Sequence, residues 1–140
     1  VGSIEYFDHT ADIGFRVTGN TLEDLFRTAA EGLFDYIVTN REEVKPTLIE
    51  TVSIRAEATD ELLASWLNEL IFRLETEHRL YSRFDVELGP DSLDLSARIH
   101  GEPLDSARHE LDHEVKAVTR HGLKIERIGE EWVAELILDI

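Results

Sequence analysis

The amino-acid sequence predicts an α+β fold of two layers, a largely antiparallel sheet with two main helices packed on one face. Three observations lead there. Apolar residues recur at helical spacing in two stretches, 22–37 and 62–74, each behind a capping signal. Elsewhere they alternate with polar residues at strand spacing. The connections between the later strands are too short for parallel crossovers, so those strands must pair antiparallel.

The elements follow in order. Ile4 to Phe7 reads as a strand, and Ile13, Phe15 and Val17 alternate against Gly14 and Arg16 as a second. Gly19-Asn20 turns the chain. Thr21 with Asp24 three residues on forms a capping-box pattern, and Leu22, Leu25, Phe26, Ala29, Ala30, Leu33, Phe34 and Ile37 lay down the buried stripe of the first helix. The polar residues 39–47, with Pro46, predict a loop. Val52, Ile54, Ala56 and Ala58 alternate as a half-buried strand, after which Thr59 is expected to cap a second helix with Asp60 and Glu61 at its positive end. Leu62, Leu63, Trp66, Leu67, Leu70, Ile71 and Leu74 form that helix's buried face. Strands dominate after residue 83: Phe84, Val86 and Leu88, then a Gly89-Pro90-Asp91 turn, then Leu93, Leu95, Ala97 and Ile99. Residues 101–108 read as a loop, 115–128 as extended, Gly129-Glu130 as a hairpin turn, and Trp132 to Ile140 as the last strand.

The chain has 140 residues, which predicts a single domain over 1–140 with enough material for a core of its own. It has no cysteine, which excludes disulfides, thiolate metal sites and a cysteine nucleophile, and suits a reducing compartment. No stretch is apolar enough to span a bilayer, and the N-terminal residues lack a signal-peptide pattern, so a cytoplasmic location is expected. With 30 acidic and 14 basic side chains the net charge is −16. Such a surface repels anionic membranes and free nucleic acid, so no strong direct nucleic-acid binding and no membrane partner are expected.

Enzyme signatures are sparse. There is no glycine-rich phosphate loop and no nucleophile elbow. His109-Glu110-Leu111-Asp112-His113 matches H-E-x-x-H; on a helix its histidines would share a face and could hold zinc, with Glu110 as general base. The segment lacks an apolar stripe, Asp112 charges its interior, and no third ligand follows. These positions are expected to be exposed. A zinc hydrolase on this segment is the alternative to a non-enzymatic reading, and a metal-independent scaffold is a third. Two other places draw attention. Phe7-Asp8-His9-Thr10-Ala11-Asp12-Ile13-Gly14 crowds two aspartates and a histidine between two strands, either as a turn in which Asp8 and Asp12 bond backbone amides or as a functional loop. At the other end, Asp139 stands beside the carboxylate of Ile140, a pair of anions that fray into solvent or are offset by a cation.

Tyr6 through Gly14 resembles the signature of the archease family. So do Leu22-Glu23-Asp24-Leu25-Phe26 with Ala29-Ala30 and Leu33-Phe34, and Leu62-Leu63 with Trp66-Leu67-Asn68-Glu69-Leu70. Gly101-Glu102, the run Glu114-Val115-Lys116-Ala117-Val118-Thr119 with His121, and the closing Asp139-Ile140 complete the likeness in chain order. Arg120 departs from it, standing where an aromatic residue is expected before the histidine. The resemblance implies a non-catalytic accessory protein of the RtcB-type RNA ligase of tRNA splicing, which promotes ligase guanylylation and multiple turnover. It also implies a divalent cation, calcium first, with manganese or magnesium as alternatives, held by Asp12, Asp139 and the terminal carboxylate of Ile140. Asp8, His9, Lys116 and His121 would line the functional surface around it. Carboxylate oxygens suit such hard cations.

Overall fold

The computed structural model describes residues 2–9 and 12–140, with only the backbone of Asp8 and His9. In chain order the elements are β1 (Ser3–His9), β2 (Asp12–Gly19), α1 (Leu22–Ile37), a 3₁₀ turn (Arg41–Glu43), β3 (Leu48–Arg55), α2 (Thr59–Glu77), β4 (Arg79–Leu88), β5 (Asp94–Pro103), β6 (Ala117–Ile128) and β7 (Glu131–Asp139). The α+β class and the antiparallel pairing are as the sequence predicts. What the sequence does not reveal is that the strands divide between two sheets, one ordered β1-β2-β7-β6 and the other β3-β5-β4. Both helices touch both sheets, α1 against β2 and β4, α2 against β6 and the three-stranded sheet.

α1 begins as its capping box requires: the Thr21 hydroxyl accepts the Asp24 N–H at 3.0 Å. Its stripe is buried, with Leu25, Phe26, Ala29, Ala30, Leu33 and Phe34 wholly enclosed. α2 begins differently from expectation. Its N-cap is Ala58, which makes no side-chain cap, and the Thr59 hydroxyl instead donates to the Ser92 carbonyl at 2.9 Å, tying the helix start to the β4–β5 turn. β5 runs on through Gly101 to Pro103, where a loop was expected, because Leu80 and Tyr81 of β4 pair with Glu102 and Gly101. Gly101 is required there, since a Cβ would fall 1.9 Å from the Leu80 carbonyl oxygen. The β6–β7 hairpin turns at Gly129, whose φ of 64° is the left-handed value that favours glycine.

The buried residues of both sheets and both helices form one cluster, centred on Trp66, Tyr81, Phe15, Phe26, Phe34 and Phe84. The Trp66 indole N–H donates to the Phe26 carbonyl at 3.0 Å, so the largest core side chain is satisfied and links the two helices. Among the described residues no helix is long and apolar enough to cross a membrane.

Candidate functional site

β2 lies between β1 and β7, and β7 between β2 and β6. Along the β2–β7 ladder Gly14 faces Ile137 and Ile13 faces Leu138. One further step sets Asp12, where β2 begins, opposite Asp139, where β7 ends. The neighbouring ladders extend the row: His9 pairs with Asp12 on one side, and Asp139 with Ala117 on the other. The Lys116 N–H donates to the Asp139 carbonyl at 2.8 Å and fixes the chain as it enters β6. Four strands thus meet in one rung at the end of the sheet, with Ile140 just beyond it.

The alternation of the strands decides which way this rung points. Phe15 and Val17 of β2, and Ala134, Leu136 and Leu138 of β7, are buried towards the helices. Asp12 and Asp139 have the opposite parity and stand on the helix-free face, about 5 Å apart at the backbone. Two rungs along that face, Glu135 accepts from Arg16 at 3.0 Å and meets Lys124 at 3.3 Å. The Arg16 guanidinium, helped by Lys124, holds the Glu135 carboxyl below its ordinary range. Among the described residues no cation stands beside Asp12 or Asp139 in the same way. Both are half-buried, and neither side chain has a hydrogen-bond or ion-pair partner among the described residues.

The other sequence-predicted site residues fall as follows. The side chains of Asp8 and His9, and all of Thr10 and Ala11, lie outside the described residues. Lys116 is exposed next to the rung and its ammonium makes no ion pair among the described residues. Ile140 is 41% exposed. His121 sits farther along β6, in the stretch between Thr119 and Lys124 where the pairing with β7 is irregular, and its N–H donates to the Thr119 hydroxyl at 3.1 Å. It does not join the rung. No group of three or more His, Asp or Glu side chains placed to hold a metal occurs among the described residues. The set that the family resemblance implies is of another kind, two aspartates and, where the chain ends at Ile140, its main-chain carboxylate, and such all-oxygen chemistry fits a hard cation.

The H-E-x-x-H segment is corrected by the structure. Residues 109–113 form no helix. They run as a strap past the end of α1, bridged at Val38 and Leu111. His109 was expected on the surface and is in fact 4% exposed. Its Nδ1 accepts the Asp105 N–H at 3.0 Å, so the ring proton sits on Nε2, which donates to Glu102 at 2.9 Å. His113 points elsewhere, its Nδ1–H donating to the Tyr36 carbonyl at 3.1 Å. The two rings cannot serve one zinc ion. Sequence reasoning also missed Glu102 as a buried hub, and the stack of Tyr6, Tyr36 and His113. Alternation cannot flag a satisfied buried carboxylate, and the stack joins residues far apart in the chain.

The model of the Archease protein family matches residues 4–140. The chain belongs to the archease family. The archease of Methanopyrus kandleri is 43% identical over 140 residues, covering 97% of this chain and 98% of that one. The archease of Pyrococcus furiosus is 38% identical over 139 residues, covering 97% of each. Among solved structures, a Methanobacterium thermoautotrophicum protein matches with a TM-score of 0.84 at 35% identity, over 98% of both chains. A Thermotoga maritima archease, described as a possible chaperone, shares the fold with a TM-score of 0.67 at 21% identity, over 96% of this chain and 94% of that one. The rung that joins Asp12 to Asp139 therefore lies within an archease fold spanned from end to end.

Proposed function

We propose that this archease is a cytoplasmic, non-catalytic accessory protein of an RtcB-type RNA ligase in tRNA splicing, and that its Asp12–Asp139 rung holds a divalent cation. The observation that carries the proposal is the pair of opposed carboxylates with no counter-charge among the described residues, on a face where the neighbouring Glu135 has two cations. Two anions so placed repel, and a hard cation relieves that repulsion while they remain ionised. Asp12 and Asp139 would supply carboxylate oxygens from adjacent strands, and Ile140 its main-chain carboxylate where the chain ends at that residue. A cation held by so few protein ligands keeps positions open for phosphate or for a partner's groups. The ladder fixes the backbone spacing of the two aspartates, and the exposed Lys116 offers a positive charge to an incoming anion beside them. The Thermotoga relative's description as a possible chaperone points the same way, towards a protein that works on another protein.

The test is calorimetric titration of calcium and of manganese into the unaltered protein, Asp12→Asn, Asp139→Asn and a chain extended beyond Ile140, with a ligation assay using the cognate ligase alongside. The three variants should bind either ion at least about tenfold more weakly, the loss of one charged ligand's worth of affinity. They should also stimulate ligation poorly at limiting metal. Equal metal affinity in all four proteins removes the metal site. Undiminished ligation in the absence of this protein removes the accessory role.

A further inference from the structure

β6 is an edge strand of the four-stranded sheet, and α2 packs along it. Its pairing with β7 is interrupted. Three pairs come first, Ala117–Asp139, Val118–Leu138 and Thr119–Ile137; the register then shifts and pairing resumes at Lys124–Glu135. From the other side, β2 pairs with β7 as far as Ile13–Leu138. Ala117 is therefore the ladder partner of Asp139 among the described residues, and the Lys116 N–H on the Asp139 carbonyl closes that end. Residues 112–116 before it form no helix or strand. The stretch of β6 that places Asp139 is thus three residues long, with a shifted register after it and an irregular strap before it. Such a shift disrupts the ladder around it, so these few pairs need support from a second element.

Asn68 supplies that support. It stands near the middle of α2, among the wholly buried Trp66, Leu67 and Leu70 that fix the helix in the core. Its carboxamide oxygen accepts the Val118 N–H at 2.8 Å, and its NH₂ donates to the Val118 carbonyl at 3.1 Å. Val118 thereby gives to α2 the two backbone groups that an edge strand leaves open, and the carboxamide answers them as a neighbouring peptide unit would. A hydroxyl or a carboxylate could not donate and accept in that arrangement. Asparagine is a poor helix former, and here the two bonds to β6 offset its place inside a helix.

We infer that Asn68 is a positioning residue for the carboxylate rung: by holding Val118 it fixes the short ladder, and with it the place of Asp139 beside Asp12. The inference rests on the reading of that rung as a cation site. Both side-chain bonds of Asn68 go to Val118, so it acts through β6 and not on a cation. The route is main chain throughout, from Val118 through Ala117 to Asp139, with the Lys116 N–H as its last bond. Without the carboxamide, the backbone groups of Val118 turn to water and the ladder opens from its irregular end. The two carboxylates then move apart. That relieves their repulsion in the metal-free chain, and it weakens binding of a cation that needs both at once, because bringing them together again is charged against its affinity.

The experiment compares the unaltered protein with Asn68→Ala, Asn68→Gln and Val52→Ala, each well below its melting midpoint. Val52 is buried in β3 of the other sheet, so its truncation lowers stability without touching β6. Calcium is titrated into each by calorimetry, and amide hydrogen exchange is followed by NMR in the metal-free proteins. Asn68→Ala should bind calcium about three- to tenfold more weakly. In the metal-free state it should speed exchange at the Lys116 amide at least about tenfold, with the β2–β7 ladder changed far less. Asn68→Gln, whose carboxamide is one methylene longer, should recover part of both losses, and it carries the comparison should Asn68→Ala not fold. Val52→Ala should leave calcium affinity and Lys116 exchange as they are. Unchanged affinity in Asn68→Ala, or an equal loss in Val52→Ala, would overturn the inference while the metal site stands. If the unaltered protein binds no calcium, the metal reading falls instead, and exchange at Lys116 alone decides whether Asn68 places Asp139.

Discussion

Glu102 offers the sharpest test of how this fold is held together. It is 6% exposed, at the end of β5, and both carboxylate oxygens are in use. Oε1 accepts from Arg108 Nη2 at 2.5 Å. Oε2 accepts from the Lys45 N–H at 2.7 Å, from Arg108 Nη1 at 3.1 Å and from His109 Nε2 at 2.9 Å. One carboxylate thus clamps the loop after the 3₁₀ turn, the loop after β5 and the start of the strap. Glu102→Gln keeps the shape and removes the charge. Its amide must also turn an NH₂ towards donors, leaving at least one buried donor unpaired. Breaking one side of a buried ion pair costs about 3–5 kcal/mol, and because Arg108 can swing partly into solvent the lower end applies, about 3 kcal/mol. Urea unfolding followed by tryptophan fluorescence reads this directly, since Trp66 is buried in the same core. The pH dependence supplies the sign. The Arg108 guanidinium, with the Lys45 N–H and His109, lowers the Glu102 pKa to about 2 in the folded chain. The carboxylate's contribution is therefore complete above the ordinary range of an unfolded glutamate and is lost as the pH falls towards about 2. The gap between wild type and Glu102→Gln should narrow through that window. A loss at neutral pH below about 0.5 kcal/mol, or a gap that stays constant down to pH of about 2, would refute the clamp.

Other outcomes follow from the same structure. His109→Ala should cost about 2–3 kcal/mol, because it opens a cavity and orphans the Asp105 N–H, whereas His113→Ala should cost less than about 1 kcal/mol, both by urea unfolding. Asn68 on α2 bonds both backbone groups of Val118, accepting its N–H at 2.8 Å and donating to its carbonyl at 3.1 Å, so Asn68→Ala should cost about 1–3 kcal/mol and speed hydrogen exchange at the Val118 amide. Gly14→Ala would place a Cβ 2.0 Å from the Phe7 ring and should cost about 1–3 kcal/mol, most of it recovered in a Phe7→Ala, Gly14→Ala double variant measured by thermal melting.

The elements that could be read from the sequence are those whose burial follows a single period. The α1 stripe from Leu22 to Ile37 and the alternation of Ala134, Leu136 and Leu138 are one-sided, so their periods give the fold away. The division into two sheets is set by long-range pairing, β2 with β7 and β3 with β5, which no local pattern encodes. Thr59 misled for a related reason. It is a good cap by residue type, but its hydroxyl had a tertiary partner in Ser92. The H-E-x-x-H segment misled because its spacing carries meaning only on a helix. In an extended strap, adjacent partners pull its histidines apart, one to Glu102 and one to Tyr36. The candidate site was legible as two separate oddities, Asp12 near one end and Asp139 at the other. Their opposition depends on the β2–β7 register and on nothing local.

That register also explains how a chain so rich in carboxylates can leave two of them without a counter-charge among the described residues. Along the helix-free face of the four-stranded sheet, Arg16 and Lys124 neutralise Glu135 across three strands. The next rung towards the strand ends, where Phe7 lies over Gly14 beside the buried Ile137, carries no charge. The Asp12–Asp139 rung comes after it, beyond the cations' reach by ion pair. Two half-buried carboxylates on neighbouring strands repel by about 1 kcal/mol or somewhat more, a cost that a core enclosing Trp66, Tyr81 and four phenylalanines carries without difficulty. A fold selected for stability alone would place an arginine at such a rung, as it does two positions along. The proposed cation site rests on that repulsion: a divalent ion bound at the rung would turn a small cost to the isolated protein into an attraction.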